Sequence, residues 1–150
     1  MSGEKGAVTV TAAHSVGKAA KKMARQKLIT KVVEKAIQNA PYGTTDGQGG
    51  KAKVIARIFG GRFTAYILEG YQLKGEKWDG NTVYGLVDIG YGFEYGPFNL
   101  NELKKGYLCR TPWGDCRLPF ERDIFVDCNK MTLEECVKNY RHERHPWMNY

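Results

Sequence analysis

Glu121 and Asp123 flank Arg122 where Leu118-Pro119-Phe120 leads into a run of β-forming residues. On an extended chain alternate side chains share a face, so the two carboxylates point one way and Arg122 the other. Paired carboxylates are the equipment of general acid–base catalysis or of half a metal site. The same residues serve in ion pairs that tie a strand to a loop, with Glu94, Glu69 or Arg62 as partners, and such networks are commoner than catalytic dyads. An enzyme built on Glu121 and Asp123 is therefore kept as an alternative, and no catalytic residue or cofactor is assigned. A serine nucleophile is excluded from the domain, because no Ser follows Ser15; no His lies between Asn39 and Arg141.

Cys109, Cys116, Cys128 and Cys136 are separated by six, eleven and seven residues. None of these gaps is the two-residue knuckle that pre-forms two corners of a zinc site. Cys128, Cys136, His142 and His145 are the residues from which a mixed site would be built. Reduced thiols acting as small hydrophobes are the simpler reading, and no metal is assigned. In an exported protein Cys109 and Cys116, which flank Pro112-Trp113-Gly114, would be the first disulfide to expect.

Glu121, Arg122 and Asp123 are also candidate binding residues, and the other binding candidates fall in three places. The 150-residue chain carries 23 Lys and Arg against 16 Asp and Glu, a net +7. Residues 1–35 hold eight basic residues against Glu4 and Glu34, so +6 sits there; the other 115 residues hold 15 basic and 14 acidic groups, or +1. Lys18, Lys22 and Arg25 share a helical face with Lys21 beside them, a strip able to track nucleic-acid phosphates and equally able to be a solvated lysine face. The apolar side of that segment is mostly alanine, so a membrane surface is not an expected partner. At the other end Arg141, His142, Arg144 and His145 stand beside Tyr140, Trp147 and Tyr150, types that stack on bases or anchor a protein interface. Between these ends Tyr91, Phe93, Glu94 and Tyr95 lie in the Gly-rich run from Gly90 to Pro97. With Tyr66 and Tyr84 these aromatics form a candidate partner surface, of which at least half are expected to pack in the core.

The elements that position these residues follow from periodicity. One domain is expected, with 42% hydrophobic residues sufficient for a core. Apolar residues from Val16 to Ile37 recur at three or four, which predicts an amphipathic helix from Ser15 to about Asn39, docked from Leu28; Thr30 is an alternative N-cap. Residues 42–51 read as a Gly-rich connection, since Lys51 is followed by Ala52 and the P-loop pattern fails. Lys53 to Ile58 and Arg62 to Tyr71 are strands around a Gly60-Gly61 hairpin, and Thr82 to Ile89 is a third. Asn99 with Glu102 and Thr132 with Glu135 fit capping boxes for two short helices, with a strand at Asp123 to Asp127 between them. The order is α-β-β-β-α-β-α: an α+β fold with a small, mainly antiparallel sheet of about four strands. The expected organisation is a basic N-terminal extension over 1–26, a single domain over 27–139 and an aromatic, basic tail over 140–150. The longest apolar run, Phe63 to Leu68 even with Thr64 counted as apolar, is far short of the roughly 20 residues that span a bilayer, and Lys18 to Arg25 interrupt any secretory signal, so the expected location is cytoplasmic.

Between about Lys27 and Val137 the chain resembles a family of small proteins carried by plasmids, conjugative elements and phages, classed as a domain of unknown function. The resemblance rests on Leu28-Ile29-Thr30-Lys31, Phe63 to Glu69, Val83 to Val87, Tyr95 to Leu103 and, above all, Leu118-Pro119-Phe120-Glu121-Arg122-Asp123-Ile124-Phe125. Family members usually carry Ile where this chain has Phe120, and a Pro-Phe-Gly turn where it has Pro112-Trp113-Gly114. The resemblance implies a mobile-element setting and brings no activity with it. The leading expectation is a small non-enzymatic binding protein that engages a host protein or nucleoprotein complex, as an inhibitor of host defence of the antirestriction or anti-CRISPR type. The rival expectation is a nucleic-acid-binding accessory factor in transfer or replication, acting through the basic N-terminal segment.

Overall fold

A computed structural model describes residues 27–144, with side chains over 27–140. Lys18, Lys21, Lys22, Arg25, His145 and Trp147 lie outside the described residues, and Arg141, His142 and Arg144 are placed by backbone alone.

Among the described residues the domain is α+β: a five-stranded antiparallel sheet, a separate two-stranded hairpin and three α-helices. Helix α1 spans Lys31–Gln38; Thr30 is its N-cap, its side chain accepting from the Val33 N–H at 3.3 Å. Lys27 to Thr30 are not helical, which overturns one continuous helix running in from Ser15. The cap ends the helix backwards because a Thr hydroxyl satisfies a backbone N–H that has no partner inside the helix. Strands β1 (Ala56–Gly60) and β2 (Phe63–Gly70) form the expected hairpin, and β3 (Thr82–Asp88) and β4 (Phe93–Asn99) continue the meander. Helix α2 (Leu100–Lys104) follows under its Asn99 cap. Strands β5 (Tyr107–Thr111) and β6 (Gly114–Leu118) pair only with each other, around a Pro112-Trp113 turn. Strand β7 is the pair Glu121–Arg122, antiparallel to β1 at the sheet edge, and α3 spans Leu133–Arg144. The sheet order is β4-β3-β2-β1-β7.

Three expectations need correction. The sheet has five strands rather than about four, and the β5–β6 hairpin is additional. The strand expected over Asp123 to Asp127 is a turn, in which the Asp123 carboxylate accepts from the Phe125 N–H at 2.9 Å. The local β-propensity of Ile124, Phe125 and Val126 loses to this Asx turn. Helix α3 runs through Arg144, past the Tyr140 boundary expected for the tail.

Both sheet faces are covered. Val33 and Ile37 of α1 pack with Ile58, Ile67, Val83, Trp78 and Leu100 on the first face. Leu133, Cys136 and Tyr140 of α3 pack with Val54, Tyr66, Leu68 and Leu86 on the second. This explains the mixed alternation of β2: Tyr66 and Leu68 are apolar because they have their own helix to meet.

Candidate functional site

The Glu-Arg-Asp motif is the first place to look for chemistry, and its acids are not deployed together. Asp123 Oδ2 lies 2.7 Å from Arg57 Nη1, and its Oδ1 holds the Phe125 N–H. Arg57 is fixed in turn: its Nε donates to Thr64 Oγ1 at 2.9 Å, and its guanidinium lies over the rings of Phe59 and Tyr140. Glu121 is exposed and opposite Phe59 in the ladder, with no hydrogen bond or ion pair to Asp123. Arg122 sits opposite Ile58, half-buried, and the expected partners Glu94, Glu69 and Arg62 are not those that Asp123 uses. The motif clamps the sheet edge to the turn that leads into α3.

The open part of the molecule is elsewhere. Alternation and register put Tyr84 and Tyr95 on the second sheet face, beside Leu86 and Phe93. Helix α3 packs on that face with Val54, Tyr66, Leu68 and Leu86, a cluster to which neither Tyr84 nor Tyr95 belongs. The two rings lie nearly parallel, 6.5 Å between centroids; Tyr71 stacks on the other side of Tyr84 at the same spacing, and Tyr42 packs edge-on to both Tyr71 and Tyr84. Tyr95 is 53% exposed, Tyr42 and Tyr71 are exposed, and Tyr84 is half-buried. Four tyrosines thus form one continuous aromatic surface.

A Gly-rich loop closes over its end. Residues 42–51 turn through left-handed positions at Gly43, Gly47 and Gly49, a backbone that side chains with a Cβ rarely adopt. The loop is anchored by Glu69, a fully buried residue of β2. Its Oε1 accepts from the Gly43 N–H at 2.7 Å, and its Oε2 accepts from the Thr45 N–H at 2.6 Å and from the Thr45 hydroxyl. A buried carboxylate needs such a set of donors to be tolerated. Between loop and sheet lies a cleft of about 410 Å³, lined by Thr45, Asp46, Gly47, Gly49, Ala52, Leu68, Tyr84 and Tyr95. Burial pushes the Tyr84 phenol above its ordinary pKa, and Tyr42, Glu69, Asp46 and Tyr95 push it the same way. Asp46 is the one ionic side chain among the lining residues.

The other sequence candidates are dispersed. Phe93 is half-buried between Tyr66 and Tyr140, and Tyr66 is fully buried. Tyr91 is exposed at the β3–β4 connection, and Glu94 is exposed on the opposite face of β4 from Tyr95. Cys128 packs against the first core and Cys136 in the second, so the sheet separates the two thiols proposed for a metal site. No group of three or more His, Cys, Asp or Glu able to hold a metal occurs among the described residues. Cys109 and Cys116 face each other directly in the β5–β6 ladder, and Trp113 at its tip is 93% exposed. Sequence reasoning missed Tyr42, Tyr71, Asp46 and Glu69. A sequence signal existed for one of them: Glu69 is the lone charged residue inside the otherwise largely apolar β2, whereas Tyr42, Tyr71 and Asp46 come to the site only through the folded chain.

No protein-family model, no curated protein and no solved structure matches this chain. No helix among the described residues is long and apolar enough to cross a membrane.

Proposed function

We propose that this is a binding protein of a mobile genetic element, working by contact rather than catalysis. Its partner is a host protein or nucleoprotein complex of a nucleic-acid-targeting defence, met in the cytoplasm. One observation carries the reading: a contiguous surface of Tyr42, Tyr71, Tyr84 and Tyr95 stands open beside a cleft, while the best-placed acid for chemistry, Asp123, is committed to Arg57 and Phe125. Tyrosines give large contact area at low side-chain entropy cost and are enriched at interaction hot spots. The mobile-element setting rests on the Leu118 to Phe125 run and the other segments of resemblance.

The test is interference in cells. Expression of the protein should raise the survival of an incoming plasmid or phage in a host with an active restriction or CRISPR system. Tyr71→Ala with Tyr95→Ala should abolish that protection without unfolding the protein. Full protection by the double variant would remove the tyrosine surface from the function, and no protection by the wild-type chain against any system of its host would remove the inhibitor reading.

A further inference from the structure

The cleft has a chemical preference that its lining defines. Its aromatic walls are Tyr84 and Tyr95, the second an exposed ring on the edge strand β4. Its rim holds the Asp46 carboxylate, and no lysine or arginine is among the lining residues. Behind the loop, the Glu69 carboxylate is held by Gly43 and Thr45, whose amides are thereby withdrawn from binding an anion. An anion entering here would meet the Asp46 side chain with the Gly43 and Thr45 donors already used; a cation would meet a carboxylate and two aromatic residues.

We propose that the cleft receives an organic cation, the guanidinium of an arginine side chain presented by the partner protein. This rests on the binding function proposed above and names the partner's chemistry at that surface. A guanidinium is planar, weakly hydrated and able to stack on a tyrosine face while two of its N–H groups meet a carboxylate. The volume of about 410 Å³ accommodates the whole side chain with part of its backbone. Burial is the first cause of the raised Tyr84 phenol, and the Glu69 and Asp46 carboxylates add to it, Asp46 from the lining of the cleft a cation would enter.

The experiment is an NMR titration of the full chain with Nα-acetyl-arginine amide, against the uncharged Nα-acetyl-norleucine amide. Arginine amide is expected to shift the Tyr84, Tyr95, Asp46 and Gly47 resonances saturably, and norleucine amide to leave them unmoved. Asp46→Asn should weaken binding about threefold. Tyr95→Leu should weaken it about fivefold, and Tyr95→Phe, which keeps the ring face, should leave it near the wild-type value. Both positions are exposed, and amide resonances in β1 and α1 report whether each variant is folded. Equal response to both probes, or no response to either, overturns the proposal. The two readings separate cleanly: loss of cellular protection in Tyr71→Ala/Tyr95→Ala with no arginine binding removes only the cation site. Arginine binding with full protection by that double variant removes the partner surface and leaves the cation site standing.

Discussion

Arg57 and Asp123, 66 positions apart in the chain, meet at 2.7 Å with side chains only 11% and 13% exposed. The pair joins β1 to the turn before α3, so the motif of strongest family resemblance has a structural task. Removing one partner leaves the other charge poorly solvated, which costs several kcal/mol when such pairs are buried. Asp123→Ala should therefore lower stability by about 3 kcal/mol in denaturant unfolding. Glu121→Ala, at an exposed position, should change it by less than about 0.5 kcal/mol. A folded Asp123→Ala protein of wild-type stability that had lost its biological effect would revive the carboxylate-pair enzyme.

Gly85 in β3 has a neighbour that no side chain can share space with. A Cβ there would lie 1.8 Å from the Tyr66 carbonyl oxygen, a backbone atom in the centre of the sheet. Gly96, directly opposite Gly85 in the ladder, has nothing within 4 Å of the corresponding position. Gly85→Ala should cost about 3 kcal/mol or prevent folding, whereas Gly96→Ala should be close to neutral. Thermal unfolding of the two variants side by side checks the register of β3 directly.

The thiols should sort by environment. Burial pushes Cys136 up to about 11, with Asp123 and Glu135 adding and Arg57 opposing. Near pH 8 it should be the slowest of the four cysteines to alkylate in the folded protein. Cys109 and Cys116, facing each other on a hairpin, should couple when treated with an excess of a small-molecule disulfide. That reagent is reduced to two thiols as the protein loses two hydrogens. Mass spectrometry of the peptides spanning 107–118 reads this out; a Cys109→Ser variant that still forms an internal disulfide would contradict the pairing.

Acid should act partly through Asp79. Burial works to raise its pKa, but hydrogen bonds from the Thr82 and Asn81 amides and the Thr82 hydroxyl outweigh it and hold the carboxyl below its ordinary value of 3.8. A lowered folded-state pKa stabilises the fold above the unfolded value and loses that contribution as pH falls through the lowered one. Asp79→Asn should show a shallower loss of stability on acidification below about pH 4 than the wild-type chain. Identical acid limbs in the two proteins would contradict the assignment.

Much of the scaffold was legible because its signals are local. Thr30 caps α1, Asn99 caps α2, and Thr132 and Glu135 exchange reciprocal hydrogen bonds at the start of α3. The β1–β2 hairpin follows from its glycines, although the turn itself is Gly61-Arg62. What escaped depends on distant partners. Asp123 is tied to Arg57 across 66 positions, and the polar run Tyr107 to Leu118 pairs with itself without the apolar alternation that marks a buried strand. The loop over 42–51 read as a connection because the Glu69 carboxylate that shapes it lies 24 to 26 positions away. The tyrosine surface was half visible: Tyr84 and Tyr95 share an alternation, but Tyr42 and Tyr71 join them only through the folded chain.

The central claim, that the tyrosine surface binds a host partner, is met most directly by affinity purification from the bacterial host with nuclease treatment. The wild-type chain and the Tyr71→Ala/Tyr95→Ala variant are compared at low and high salt. The account expects a defined component of a nucleic-acid-targeting defence complex to remain on the wild-type chain after nuclease and high salt, and to be lost from the variant. Undiminished capture by the variant, or capture that disappears with nuclease and salt alone, would contradict it.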